Sequence, residues 1–447
     1  MTNLGAGQAM NVILLVGVTV LSCILIHYLF KIFFGGKKSE NKKHKAESEV
    51  AVVSDLTEPT VEETRTILKN KKRAPWKTKT EYTHPWLLKN LKGHPGTVLM
   101  MDFSANGKFM AATCDDGSVF LWDVRDLSHK EHKTLRVNID FDHASHVAWS
   151  PDSKAFIVHT VRENNIVVYK IEKKKDGTIG SATPVLSFEK MHEDDVVGFG
   201  ISSNGKFMMS CSSKTDMVIW DLKGQILERL DTYLMNTYMA KISPCGRFVV
   251  ATGFAPDVKV MEVCFTRTGE MKQVVKAFEL TGHSSGILDV AFDVDTSHIA
   301  TISKDGTWKL YHTSVKYTLG ESPHVLETGR YTQSSNPPRI ALSPNAEVLA
   351  VTCDNSVEFY DTYTGKLFDT VDNIYSGIIN HLCFDASGKY LYVCGDRVVR
   401  IFHNVCGYFT SAESCRRLLA TKQTSATVER LTKTIQDCND TLAKFGK

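Results

Sequence analysis

The stretch Met101-Asp102-Phe103-Ser104-Ala105-Asn106-Gly107-Lys108-Phe109-Met110-Ala111-Ala112-Thr113-Cys114-Asp115-Asp116-Gly117-Ser118-Val119-Phe120-Leu121-Trp122-Asp123 decides the fold. Asn106-Gly107-Lys108 is a tight-turn signal, and Asp115-Asp116-Gly117 is a second. Between and around them lie short runs, one of small residues and one ending in an aromatic residue followed by Asp. Runs this short, alternating at period two and bounded by Gly and Asn, read as β-strands and leave no room for a helical period.

The same pattern recurs along the chain. The strand-closing positions are Trp122, Tyr169, Trp220, Met261, Tyr311, Tyr360 and Phe402, spaced by 47, 51, 41, 50, 49 and 42 residues. Each has its own tight turn upstream: Asn106-Gly107-Lys108, Asp152-Ser153-Lys154, Asn204-Gly205-Lys206, Cys245-Gly246-Arg247, Asp295-Thr296-Ser297, Asn345-Ala346-Glu347 and Ser387-Gly388-Lys389. Four short strands per unit at this period predict an all-β, seven-bladed propeller.

Three units also share an opening His. Gly93-His94 precedes Trp122-Asp123, Met191-His192 precedes Trp220-Asp221, and Gly282-His283 precedes Tyr311-His312, each His 28 residues before its closing aromatic. In this the sequence resembles the WD-repeat family. The resemblance implies that the His, an Asp in a later turn and the closing aromatic form a hydrogen-bonded set inside a blade. The expected structural network is His94, Asp116, Trp122, His192, Trp220, His283, Asp305 and Tyr311. The third unit carries Lys214 where the first and fifth carry Asp116 and Asp305, which puts its network in doubt. A His–Asp pair is also acid–base machinery, but an active site needs one location and this pattern recurs, so the structural reading is preferred.

Composition narrows the function. The 447 residues carry 53 basic and 50 acidic side chains, too even a balance for a generic nucleic-acid binder. Eleven cysteines without tight spacing exclude a disulfide scaffold and fit a reducing compartment. There is no phosphate-binding G-x-x-x-x-G-K-[ST] loop, no G-x-G-x-x-G after a strand, no C-x-x-C and no H-E-x-x-H. No catalytic residue, cofactor or metal is therefore expected. An enzyme with an unrecognised site on the propeller's top face is the least favoured alternative.

The N-terminal region reads differently. Residues 12–30 carry no formal charge at neutral pH. As a helix they would run about 28 Å, close to the thickness of a bilayer core. No Lys or Arg precedes the run and no small-x-small cleavage site follows it, which argues for an anchor rather than a cleaved signal peptide. Lys31, Lys37, Lys38, Lys42, Lys43 and Lys45 follow it, with only Glu40 opposing, so the positive-inside rule places the body of the protein in the cytosol and the N-terminus in the lumen.

Residues 35–85 read as a basic, disordered linker. Between 35 and 80 there are twelve basic and seven acidic residues, so the positive excess of the whole chain lies here. Lys69, Lys71, Lys72 and Arg73, with Trp76, form a candidate phosphate or RNA contact in which Trp76 would stack on a base; the competing reading is a solvated spacer. At the other end, Val428, Leu431, Ile435, Cys438, Leu442 and Phe445 fall at steps of three and four, one stripe of an amphipathic helix. Such a helix would dock on the propeller or bind a partner.

The expected organisation is a lumenal N-terminus and transmembrane signal-anchor over 1–34, the linker over 35–85, the propeller over 86–405 and a C-terminal amphipathic helix over 406–447. A narrower likeness within the WD-repeat family is carried by stretches such as Ser243-Pro244-Cys245-Gly246-Arg247-Phe248, Ala277-Phe278-Glu279-Leu280-Thr281-Gly282-His283 and Ser303-Lys304-Asp305-Gly306-Thr307-Trp308-Lys309-Leu310. That likeness implies a single-pass protein of the endoplasmic-reticulum membrane, with a role in the unfolded-protein response and translation control. It further implies association with a stress-activated membrane kinase and contact with translating mRNA. The leading expectation is a scaffold or adaptor that binds proteins through a cytosolic propeller. The alternative is an RNA-binding protein tethering mRNA or ribosomes to that membrane.

Overall fold

A computed structural model describes residues 82–128 and 132–447. These form twenty-eight β-strands, one short 3-10 helix and two α-helices. The candidate anchor at 12–30, Lys69, Lys71, Lys72, Arg73 and Trp76 lie outside the described residues. Among the described residues, no helix is long and apolar enough to cross a membrane.

The strands make seven antiparallel four-stranded blades, with the chain running from the inner strand of each to its outer strand. Blades 1 to 6 span 98–138, 144–187, 196–231, 237–280, 287–330 and 340–371. Blade 7 takes its first three strands from 381–403 and its outer strand from the start of the domain, Leu87–Lys92, which pairs antiparallel with Val398–His403. Each inner strand touches the next, and that of blade 7 touches that of blade 1, so the ring is closed. Closure by the N-terminal strand removes the exposed edge that an open array would present.

The core is divided among the blade interfaces. There are seven separate apolar clusters, one in each gap between neighbouring blades. A blade in mid-ring is thus covered on both faces, which is why strands such as Phe109–Cys114 and Phe248–Gly253 are buried along their whole length. The seven tight turns each hold their middle residue in the left-handed region, at φ between 55° and 70°. Local polar groups fix them: in the first, Ser104 Oγ accepts from the Phe109 N–H at 3.0 Å and Asn106 Oδ1 from the Lys108 N–H at 2.9 Å.

Blades 3 and 4 approach more closely than the others, and their inner strands bridge in parallel at Gly198 and Ala240. A Cβ at Gly198 would stand 2.4 Å from the Ala240 Cβ and 2.6 Å from its carbonyl oxygen, so only glycine fits.

The tail corrects one expectation. It is two helices rather than one: α1, Val405–Leu419, and α2, Ser425–Lys444. The break follows from Thr421 and Gln423, whose side chains donate to the Leu418 carbonyl at 2.7 and 3.3 Å and compete with helix propagation. Thr424 then caps α2, its hydroxyl accepting from the Thr427 N–H. The two helices pack on each other. Val405, Cys406 and Leu442 join the apolar cluster between blades 6 and 7, with Phe445 against it, and Lys447 Nζ lies 2.5 Å from Asp369 of blade 6. The tail is docked on the ring.

Candidate interaction face

The opening histidines are positioned by the turns that lead into blades 1, 3 and 5. In blade 5, His283 Nδ1 lies 2.9 Å from Asp305 Oδ2 and Nε2 lies 2.8 Å from Thr301 Oγ1. Asp305 sits in the turn between two strands and also takes the Ser284 and Thr307 N–H groups at 3.0 and 2.9 Å. Burial opposes ionisation of Asp305, but these bonds outweigh it and hold the carboxyl far below its usual range. The Tyr311 hydroxyl donates to the Thr281 carbonyl at 2.9 Å rather than to His283.

Blade 3 has the fullest chain. Trp220 Nε1 donates to Ser210 Oγ at 2.9 Å, Ser210 Oγ lies 2.7 Å from His192 Nε2, and His192 Nδ1 lies 2.6 Å from Asp216 Oδ2. The doubt raised by Lys214 is resolved by Asp216, two residues further on, which opens the next strand at the position that Ser118 and Thr307 hold in blades 1 and 5. A fixed 22-residue offset from the His misses Asp216; a scan for a carboxylate carried on to the first residue of the next strand finds it.

Blade 1 departs from the expected set. Trp122 Nε1 donates to His94 Nε2 at 3.1 Å, so burial, which lowers His94 to about 4, leaves a neutral ring able to accept. Asp116 turns away to Ser118 Oγ at 2.6 Å and to Arg136 Nη2 at 3.2 Å. Arg136 on the outer strand competes for the carboxylate, and nothing in local spacing signals that.

These sets are interior. The exposed chemistry lies on the loops joining each outer strand to the next inner strand, and on the loops joining the two middle strands. Antiparallel order puts both kinds of loop on one face of the ring. Phe141, Tyr233 and Met235 are 94%, 74% and 72% exposed there, all with left-handed backbone, at φ 59°, 53° and 62°. Bulky side chains adopt that region rarely and at a cost. The loops are buttressed to keep it. The Asp142 carboxylate takes the N–H groups of His143, Arg162 and Glu163 at 2.7, 2.9 and 3.0 Å, and Arg162 Nη1 donates to the Phe141 carbonyl at 3.0 Å. Asp231 Oδ1 accepts the Tyr233 N–H at 2.7 Å, and Lys259 Nζ stands 5.1 Å from the Tyr233 ring centre. Phe254, 56% exposed, joins Tyr233 and Met235 through its N–H bond to the Asn236 carbonyl at 3.0 Å.

The WD domain, G-beta repeat profile matches residues 85–123, 274–312 and 370–403. Transducin beta-like protein 2 of Homo sapiens is 41% identical over 367 residues, covering 82% of this chain and 82% of the relative. The Mus musculus protein of the same name is 40% identical over 366 residues, covering 82% and 83%. The chain belongs to the transducin beta-like protein 2 family. Periodic tryptophan protein 2 of Arabidopsis thaliana, at 24% identity over 318 residues, is a more distant relative; the match covers 66% of this chain and 32% of that protein.

Two of the matched repeats in this transducin beta-like protein 2 family member are offset from the blades by one strand. Each of them, 85–123 and 274–312, joins the outer strand of one blade to the first three of the next. The offset is the physical device of closure, since the leftover strand at the beginning completes blade 7 at the end. As a WD-repeat propeller of this family, the chain is a protein-interaction scaffold.

Proposed function

We propose that this protein is a membrane-anchored adaptor of the endoplasmic reticulum that gathers components of stress signalling and translation control on its propeller. The observation that carries the adaptor reading is the set of exposed Phe141, Tyr233, Met235 and Phe254 side chains on buttressed loops of one face. Large apolar side chains held out to water at a conformational cost are characteristic of binding surfaces. No catalytic role is proposed. The span at 12–30 and its lysine flank support an anchor with the propeller in the cytosol. The organelle, the stress role and the kinase partner rest on family likeness. A second reading, RNA contact through Lys69, Lys71, Lys72, Arg73 and Trp76, is supported by the charge excess of that segment.

Proximity labelling from the full-length protein, with and without folding stress, tests the adaptor. Substituting Phe141, Tyr233 and Met235 by Ser should leave the fold intact and deplete the labelled partners. An unchanged set of partners would remove this face from consideration. Protease added to intact microsomes should digest the propeller; full protection would invert the topology. Alanine at the four basic positions should flatten the salt dependence of RNA affinity, and an unchanged slope would dismiss that segment as the RNA contact.

A further inference from the structure

The inner strands enclose a channel of about 730 Å³. Two carboxylates line it, and both are engaged. Asp289 Oδ1 lies 2.9 Å from Lys241 Nζ and takes the Val290 N–H at 2.7 Å, while its Oδ2 takes the Ile340 N–H at 3.0 Å. Asp102 Oδ2 takes the Trp149 N–H at 2.8 Å.

Three nitrogen groups line the same channel from blades 6, 7 and 2. Arg339 immediately precedes the inner strand of blade 6, His381 opens that of blade 7, and His146 lies on that of blade 2. Among the described residues, the Arg339 guanidinium has no hydrogen-bond or ion-pair partner. His381 Nδ1 is buried and likewise unpartnered. His146 Nδ1 lies 2.9 Å from Ser145 Oγ, which also bonds His159 behind it. Burial, together with the fields of His159 and Arg339, brings His146 down to about 3. Burial, together with the field of Lys241, brings His381 down to about 3. Both rings are therefore neutral at neutral pH.

The half-buried Arg339 guanidinium presents a planar fork that matches two oxygens of one anion. Two neutral imidazoles alongside can take up protons when a negative charge arrives. We propose that the channel is a binding site for a small phosphate-type oxyanion, held by Arg339 and flanked by His381 and His146. The volume accommodates a free anion or a small phosphate ester.

Because the imidazoles are neutral before an anion arrives, anion binding is coupled to proton uptake and strengthens as pH falls. Lys241 and Asp289 face His381 as a closed pair, and His159 faces His146. Asp102, raised to about 6 by burial against its two backbone hydrogen bonds, loses charge over part of the same range. Its neutralisation favours an anion too, so a variant must separate it.

Calorimetric titration of the full-length protein with sulfate tests the site, because sulfate keeps its charge across the range. Affinity should rise at least about tenfold between pH 7.5 and pH 5.5. Arg339→Gln should abolish binding with an unchanged melting temperature, since the side chain it replaces has no partner. His381→Asn should bind but with a flatter pH dependence, and Asp102→Asn should retain most of it. Inorganic phosphate and glycerol 2-phosphate then distinguish a free anion from an ester, the tighter ligand naming the source. Undiminished sulfate binding by Arg339→Gln, or no binding by the native protein at millimolar sulfate, overturns the proposal. Binding of an acidic peptide without binding of sulfate also overturns it and assigns the cluster to a protein partner.

Discussion

Asp289, on the inner strand of blade 5, accepts the backbone N–H of Ile340, the first residue of the inner strand of blade 6, at 3.0 Å. Its other oxygen pairs with Lys241 of blade 4 at 2.9 Å, and Lys241 Nζ also donates to the Val290 carbonyl at 2.6 Å. One buried carboxylate thus joins three consecutive blades. Asp102 makes the equivalent bond from blade 1 to Trp149 of blade 2 at 2.8 Å.

Replacing Asp289 by Ala should destabilise the ring by about 3–5 kcal/mol, because Lys241 loses its counter-charge and the Ile340 N–H loses its acceptor together. Asp289→Asn keeps an acceptor for Ile340 and should cost less. Urea unfolding of the two variants measures the difference, and equal costs would mean that the ion pair contributes nothing beyond the hydrogen bond.

The close approach of blades 3 and 4 predicts that Gly198→Ala costs about 3 kcal/mol, since the added methyl meets the backbone of Ala240. Gly107→Ala provides the comparison. Nothing lies within 4 Å of a Cβ at Gly107, so only its left-handed φ of 66° is penalised, at about 1–2 kcal/mol. A smaller loss at Gly198 than at Gly107 would contradict the packing.

Acid should weaken the fold. Burial holds His94 at about 4 and, with neighbouring positive fields, His146 and His381 at about 3, against 6.5 in an unfolded chain. As pH falls below 6.5 the unfolded chain takes up these protons first, so stability declines progressively toward pH 4. Asp102 opposes this. Its folded value of about 6 exceeds the unfolded 3.8, so between those values the folded state holds the extra proton. Three imidazoles against one carboxyl leave a net loss. Urea midpoints at pH 7 and pH 5 check it, and Asp102→Asn should steepen the decline; a flat profile would refute the assignment.

The docked tail predicts that Leu442→Ala lowers stability by about 2–3 kcal/mol, because the side chain closes the apolar gap between blades 6 and 7. If α2 is only loosely attached, limited proteolysis will remove it without lowering the melting temperature of the ring, and the prediction fails.

At the exposed face the expectation reverses. Phe141→Gly should raise stability by up to about 1 kcal/mol, because the side chain is 94% exposed and its backbone sits at φ 59°. The same change should weaken capture of partners. A stability loss would show that the ring of Phe141 has a packing role.

The amino-acid sequence by itself determined the repeated strands, the seven tight turns and the closing aromatic positions, because alternation and turn chemistry act over only a few neighbouring residues. The His94–Trp122 and His283–Asp305 contacts were also legible, since they lie inside one repeating unit at a constant offset. Only the tertiary structure decided that Asp216 replaces the position held by Lys214, that Asp116 goes to Arg136, that the tail breaks at Thr421 and docks, and that Asp289 joins three blades. It alone gathered Arg339, His381 and His146 around one channel. These arrangements depend on groups distant in the chain and on competition between partners. Such choices are settled by ring closure and burial, which leave no periodic trace in the order of residues.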